Sequence, residues 1–140
     1  VSVESAFHYN PREKFFREAN RVLSPGGRLV IADIVRDNEG GLCSDLAGLV
    51  ASHFLSAPLC NAITVDKWVE QLEASGFEVE WEDITDRTFV PYLTYMRNNL
   101  SLSNSVLQWF ACSSVSIWET VCARFRPFRY VVAVCTKSGK

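Results

Sequence analysis

The residues that this sequence has in short supply exclude several kinds of site. Its 140 residues include only two histidines and five cysteines, and no two cysteines are spaced Cys-x-x-Cys. Because a structural zinc site needs clustered Cys and His ligands, we expect no metal. Three of the cysteines lie in runs of apolar or small residues, which indicates free thiols in a reducing compartment and predicts a cytoplasmic protein.

Charge of one sign and long apolar runs are lacking as well. The net charge is −2, from 14 basic and 16 acidic residues that are interspersed. No basic face favours nucleic acid, nothing resembles a signal peptide, and no apolar run reaches the ~18 residues of a membrane span. What the chain does have is 48% hydrophobic residues, including nine Phe. That composition predicts a packed core of one domain.

A glycine-rich nucleotide loop is also missing. The close glycine pairs are Gly26-Gly27, in a turn after a predicted helix, and Gly40-Gly41, in a loop after a predicted strand. Neither pair has the strand–loop–helix context that brings backbone amides to a ligand. The sequence therefore offers no candidate for such a loop.

Apolar periodicity predicts alternating helices and strands. Asn10 can cap a helix whose first turn holds Pro11 and Glu13, and a second helix begins after Thr64 and ends at Gly76. A further helix is predicted to open at Pro91 and another to cover 106–125, with a break at 101–105.

The strands differ in their patterns. The apolar run at 29–35, interrupted only by Asp33, predicts a strand buried on both faces of a parallel sheet. Strict alternation at 77–82 predicts an edge strand, and 130–136 predicts a last strand. Residues 1–3 read as the end of another strand. Strands that alternate with helices in this order indicate an α/β fold.

Three motifs stand in order near the start of the chain: S-V-E-S-A-F-H-Y at 2–9, R-V-L-S-P-G-G at 21–27 and R-L-V-I-A-D at 28–33. In this order and spacing they resemble the class I S-adenosylmethionine-dependent methyltransferases of the small-molecule and lipid type. A-S-G-F at 74–77 fits the same family. The resemblance covers most of the chain, although residues 90–127 match in general character only.

The resemblance implies a Rossmann-like methyltransferase fold, represented here by its C-terminal portion. It implies parallel strands, a final antiparallel strand inserted between the fifth and sixth, and flanking helices. Residues 1–140 are then expected to be a partial domain without the glycine-rich cofactor half, cut from a longer chain. Residues 37–63 are expected to form a lid-like insert.

The resemblance also assigns roles to single residues. Ser2, Val3 and Glu4 would contact S-adenosylmethionine, and His8 would face the acceptor as the catalytic residue. A neutral imidazole can take a proton from a hydroxyl or amine while the methyl group is transferred. The alternatives are a structural histidine that packs by Phe7 and, for Glu4, a solvated carboxylate at a strand end.

Two further residues are predicted to bind the acceptor. Tyr9 is among the last polar residues of the first motif, which face the acceptor in the family. Asp33 ends an apolar strand, where an unpaired buried carboxylate is costly. It therefore either caps the next loop or points into the pocket.

The sequence thus predicts S-adenosylmethionine-dependent methyl transfer to a small-molecule or lipid-like acceptor, with weak or no activity for this chain alone. The alternative is a non-catalytic, methyltransferase-like interaction module that self-associates through an open sheet edge. Half of a dinucleotide-dependent oxidoreductase ranks third, because the motifs at 2–9 and 21–27 favour methyl transfer.

Overall fold

The computed structural model describes residues 1–37, 46, 57–100, 105–125 and 128–139. These residues form β1 (Ser2–Val3), α1 (Arg12–Val22), β2 (Arg28–Arg36), α2 (Val65–Ala74), β3 (Phe77–Asp83), α3 (Thr85–Asn99), α4 (Ser105–Phe125) and β4 (Phe128–Lys137). Short 3-10 turns lie at Ala6–His8 and Leu59–Asn61. Within these ranges, no helix combines the length and hydrophobicity that crossing a bilayer requires.

The strands pair in the order β1-β2-β4-β3. β1 is parallel to β2, whereas β4 runs antiparallel to both β2 and β3. The predicted insertion of a final antiparallel strand is therefore confirmed. β3 lies at an edge of the sheet in the part of the chain that is described, as its alternating sequence predicts.

The two faces of β2 are covered to different extents. Leu29, Ile31 and Val35 are buried in the main core, together with Phe16 of α1 and Trp68 of α2. Val30, Ala32 and Ile34, which alternate with them along β2, are only half-buried. The prediction of a strand buried on both faces is therefore correct for one face only, because α1 and α2 cover that face continuously.

α3 packs on the opposite face near the end of β2. Leu93 of α3 and Phe128 of β4 form a second, smaller core with the partly buried Ile34 and Phe89. α3 and α4 also pack against each other. Together they form a helical hairpin that lies between β3 and β4 in the chain.

Two predicted helix starts need correction. α1 begins at Arg12 with Pro11 at the cap position, one residue later than an Asn10 cap would place it. α3 begins at Thr85 rather than at Pro91, because Asp83 Oδ1 accepts a hydrogen bond from the Thr85 amide at 2.9 Å. A local hydrogen bond at the strand end thus outweighs the proline signal, and Pro91 lies inside the helix.

The remaining predictions concern the end of α2, the cysteines, the insert and the break between the last two helices. The end of α2 is confirmed, because Gly76 adopts the left-handed backbone conformation at φ +91°. Among the described cysteines, Cys60, Cys112 and Cys135 are free thiols, of which Cys135 is buried and Cys60 exposed. The predicted insert at 37–63 and the predicted break at 101–105 lie largely outside the described residues.

Candidate functional site

The chain bends sharply where β1 ends. Glu4 has a φ of +48°, in the left-handed region that non-glycine residues seldom adopt. Its amide donates to Ala32 O at 2.9 Å, which extends the pairing with β2 by one residue. The bend leads directly into the 3-10 turn at Ala6–His8. The conformation of Glu4 thus separates the strand from the segment that carries the predicted catalytic histidine.

The Glu4 side chain reaches across the sheet to β4. Tyr130 Oη donates a hydrogen bond to Glu4 Oε1 at 2.8 Å. Burial raises the pKa of the Tyr130 phenol, and this hydrogen bond raises it further, so the phenol stays protonated and continues to donate.

An open pocket of about 460 Å³ lies over this pair. It is lined by one carboxylate, three aromatic rings, a hydroxyl and an aliphatic side chain: Glu4, Phe89, Tyr92, Tyr130, Thr88 and Ile34. Its walls come from the end of β1, from β2 and β4, and from α3. Such a lining offers an apolar cavity with few polar groups that can orient a ligand.

The wall that α3 supplies is fixed to β4 through backbone contacts at Tyr130. The amide of Ile84 donates to Tyr130 O at 2.8 Å, and the Tyr130 amide donates to Thr85 Oγ1 at 2.8 Å. Thr85 Oγ1 in turn donates to Asp83 Oδ1 at 2.5 Å. The start of α3 and the aromatic ring of Tyr130 are therefore held in one arrangement.

Asp33 lies on the other face of β2, inside the main core. Its side chain is fully buried, as is that of Arg12, and Arg12 Nη1 lies 3.4 Å from Asp33 Oδ2. Asp33 Oδ1 accepts the Phe7 amide at 3.2 Å. Burial raises the pKa of Asp33 to about 6, although the Arg12 guanidinium opposes the shift. The indole of Trp68 also lowers that pKa, although its Nε1 makes no hydrogen bond of normal geometry.

Asn61 joins the same buried group from the turn that precedes α2. Asn61 Nδ2 donates to Phe7 O at 2.9 Å and to Tyr9 O at 2.5 Å. Arg12 Nη2 donates to Asn61 O at 3.1 Å. Sequence reasoning did not single out Arg12 or Asn61. The only signal was the buried carboxylate predicted at position 33, which requires a partner that the sequence pattern does not identify.

Of the predicted cofactor and acceptor residues, Glu4 lines the pocket. Ser2 is buried, and its Oγ lies 2.9 Å from Ser5 Oγ. Val3 is exposed next to it. The predicted roles of these residues, and the acceptor-binding role of Asp33, stay predictions. The contacts of Asp33 lie with Arg12 and the Phe7 amide rather than in the pocket lining.

His8 and Tyr9 lie on the exposed side of the same segment. The His8 ring packs on Phe7 with centroids 4.1 Å apart, and the Tyr9 ring packs on Phe15 at 5.1 Å. The structure thus places His8 in contact with Phe7, as its structural alternative requires, and leaves it exposed, as catalysis requires. Its catalytic role stays a prediction.

Known proteins resemble this chain in sequence. The family described as a methyltransferase domain matches residues 1–31. Erythromycin 3''-O-methyltransferase of Saccharopolyspora erythraea is 37% identical over 120 residues, which cover 79% of this chain and 39% of that protein. The chain thus spans about two fifths of the length of this curated relative.

Solved structures share the fold. Phosphoethanolamine N-methyltransferase 2 of Haemonchus contortus superposes with a TM-score of 0.75 at 17% identity, over 97% of this chain and 32% of that chain. Geranyl diphosphate C-methyltransferase of Streptomyces coelicolor superposes with a TM-score of 0.61 at 19% identity, over 96% and 45%. Taken with the ordered motifs at 2–33, the sequence matches show that the chain is similar to S-adenosylmethionine-dependent methyltransferases, and the solved structures show that it has their Rossmann-like fold with the inserted antiparallel strand.

Proposed function

We propose that the chain is part of an S-adenosylmethionine-dependent methyltransferase and that the pocket over Glu4 and Tyr130 receives its small-molecule or lipid-like acceptor. The pocket's position carries this proposal. In open α/β sheets, ligands bind beyond the carboxyl ends of the parallel strands. The pocket lies at the carboxyl end of β1, and Tyr130 reaches the same edge because its strand is antiparallel to β2 and pairs there with Ile34.

The residues present fit one part of the cofactor. Its amino group is a cation, and Glu4 presents a carboxylate at the end of β1, beside the exposed Val3. A carboxylate can accept several hydrogen bonds, so Glu4 can hold that group while Tyr130 still donates to it. When bound, the cofactor supplies an activated methyl group. Ser2, Val3 and Glu4 would hold its methionine part.

The acceptor class follows from the chemistry of the pocket. The named relatives act on acceptors as different as erythromycin and geranyl diphosphate. Here the lining has three aromatic rings and a carboxylate, with no basic side chain among its described members. The described lining therefore offers no cation to pair with an anionic group, whereas its aromatic faces attract cations and apolar surface. We therefore propose an uncharged or amine-bearing apolar acceptor rather than a phosphate ester.

The chain's own residues can then position the acceptor and remove its proton. Thr88 and Tyr130 supply hydroxyl groups at the pocket wall, and the aromatic rings exclude water from one side. His8, exposed four residues beyond Glu4, is the proposed base for a hydroxyl or amine. Transfer to a held nucleophile depends mainly on alignment. The free thiols and the reducing compartment they indicate make the cytoplasm the proposed location.

A thermal melt with and without S-adenosylhomocysteine tests this proposal. A ligand that binds only the folded state stabilises it by ~2.7 kcal/mol at a hundredfold excess over its Kd. We expect a cooperative transition that shifts upward with ligand. Glu4→Gln should keep a hydrogen bond with Tyr130 but lose the charge, so the shift should shrink. Tyr92→Phe, at the same pocket, is the matched control and should keep the full shift.

The interaction module is the second candidate, and one observation favours it. In the described residues β1 pairs with β2 on one side only, which leaves an edge that another strand can extend. The module would be favoured over the methyltransferase by two results together. The melting temperature would not change with S-adenosylhomocysteine, and size-exclusion chromatography would show a dimer or larger species.

A further inference from the structure

Three buried polar side chains converge on the segment that carries His8. Arg12, Asp33 and Asn61, here called the polar clamp, are 0%, 0% and 5% exposed. They come from α1, from β2 and from the turn before α2. We propose that the polar clamp is a set of positioning residues for methyl transfer, which holds residues 7–9 in one conformation. The catalytic part of this inference depends on the proposed function.

The segment has few hydrogen bonds of its own. The His8 amide donates to Ser5 O at 3.1 Å and the Tyr9 amide to Ala6 O at 3.2 Å, which is a single 3-10 turn. Such short turns have poor hydrogen-bond geometry and little independent stability. External contacts must therefore select the conformation of this segment.

The polar clamp supplies those contacts on both sides of His8. Asp33 accepts the Phe7 amide, and the Asn61 amide group donates to the carbonyls of Phe7 and Tyr9. Three backbone groups of a short exposed segment thus bond to side chains that are themselves buried. These bonds hold the backbone on both sides of His8.

The members of the polar clamp also hold one another. Arg12 lies within 3.4 Å of the Asp33 carboxylate and donates to the Asn61 carbonyl at 3.1 Å. A buried charge is costly unless it is paired, so Asp33 depends on Arg12, and Arg12 in turn contacts both of the other members. The group does not line the described pocket. Its role is therefore to position the segment rather than to contact the acceptor.

Asn61→Ala tests the inference by removing both amide donations and leaving the ion pair intact. Hydrogen–deuterium exchange of the full chain should then rise about twenty-fivefold at the amides of residues 7–9, since each of the two lost hydrogen bonds contributes about fivefold. Amides in β2 and α1 should keep their protection. Asn20→Ala is the matched control, because Asn20 Nδ2 donates to a single carbonyl, Gly76 O, at 3.0 Å. It should leave residues 7–9 unchanged.

Chemical modification gives a second readout that depends on the placement of His8. The rate at which diethylpyrocarbonate acylates His8, read by peptide mapping, should change in Asn61→Ala and stay constant in Asn20→Ala. Unchanged exchange and unchanged modification of residues 7–9 would overturn the proposal. A uniform rise in exchange over the whole chain would also overturn it, since Asn61 would then only stabilise the fold.

The outcome is separable from that of the proposed function. Hydrogen exchange and chemical modification need no cofactor or acceptor. They therefore test whether the polar clamp holds residues 7–9 even if S-adenosylhomocysteine does not bind. If Asn61→Ala fails to fold, Asn61→Ser keeps one donor, placed one bond closer to the backbone. That variant should show a smaller rise confined to residues 7–9, and no rise there would contradict the inference.

Discussion

Adjacent residues of β2 serve two different surfaces. Asp33 points into the face that α1 and α2 cover, where it meets Arg12 and the Phe7 amide. Ile34 points to the opposite face, where it lines the pocket with Glu4 and Tyr130. The first face is closed around a buried ion pair, and the second is open around an aromatic cavity.

The difference shows how one strand can both stabilise and expose a site. On the closed face, polar groups are bonded to each other and fix backbone that leads to the site. On the open face, polar groups are few and partly exposed, so they can bind a ligand. Because strand residues alternate between faces, a change at one position should affect one function and spare the other.

Removing the buried charge of Arg12 is expected to have the largest effect. Arg12→Met leaves Asp33 buried without its partner and should reduce the free energy of unfolding by about 3–5 kcal/mol. Urea denaturation measures this loss. Arg21→Met is the control, because the Arg21–Glu18 pair is exposed and should contribute little. Equal losses in the two variants would mean that the closed face gains nothing from its ion pair.

The same truncation on the two faces should show which core carries the fold. Leu72 of α2 is fully buried in the main core, whereas Leu93 of α3 belongs to the small core beside the pocket. We expect Leu72→Ala to cost about 4 kcal/mol and Leu93→Ala about 2 kcal/mol, because a larger core leaves a larger cavity. Chemical denaturation of both variants checks the order. A reversed order would make the helical hairpin the main source of stability.

The smallest expected effect is the pH dependence that Asp33 adds. Its folded pKa of about 6 exceeds the ordinary 3.8, so the folded state binds a proton more tightly than the unfolded chain does. The contribution of Asp33 to stability should therefore increase as the pH falls from 7 to 5, by about 1 kcal/mol. Asp33→Asn lacks this titration. Denaturation of both proteins at pH 7 and pH 5 isolates the contribution of Asp33. An equal change in the free energy of unfolding of the two proteins would contradict the raised pKa.

The strands and their order in the sheet were predicted well from the sequence. Apolar runs and turn residues located β2, β3, β4 and α2, and the ordered motifs indicated the antiparallel insertion of β4. These features are local, or they follow from the arrangement that the resemblance implies. The early start of α3 was missed, since it depends on a hydrogen bond from the Thr85 amide to Asp83 and on contacts with Tyr130 far along the chain.

The site was predicted less completely because its contacts are distant in sequence. Glu4 was singled out, but its hydrogen bond to Tyr130 spans most of the chain. Asp33 was expected to cap a loop or point into the pocket, a role that stays a prediction, and its contact with Arg12 on the closed face was not foreseen. Asn61 has no motif at all. Its importance comes from two carbonyls that the fold brings to it.

The helical hairpin of α3 and α4 connects two strands that already pair with each other. β3 and β4 align in antiparallel register from Phe77 opposite Lys137 to Asp83 opposite Val131. The two strands thus pair directly, and the segment between them is tied to β4 through Thr85 and Leu93. α3 also supplies Thr88, Phe89 and Tyr92 to the pocket. On the proposed function, exchanging these three side chains should therefore change acceptor preference while the pairing of β3 with β4 is kept.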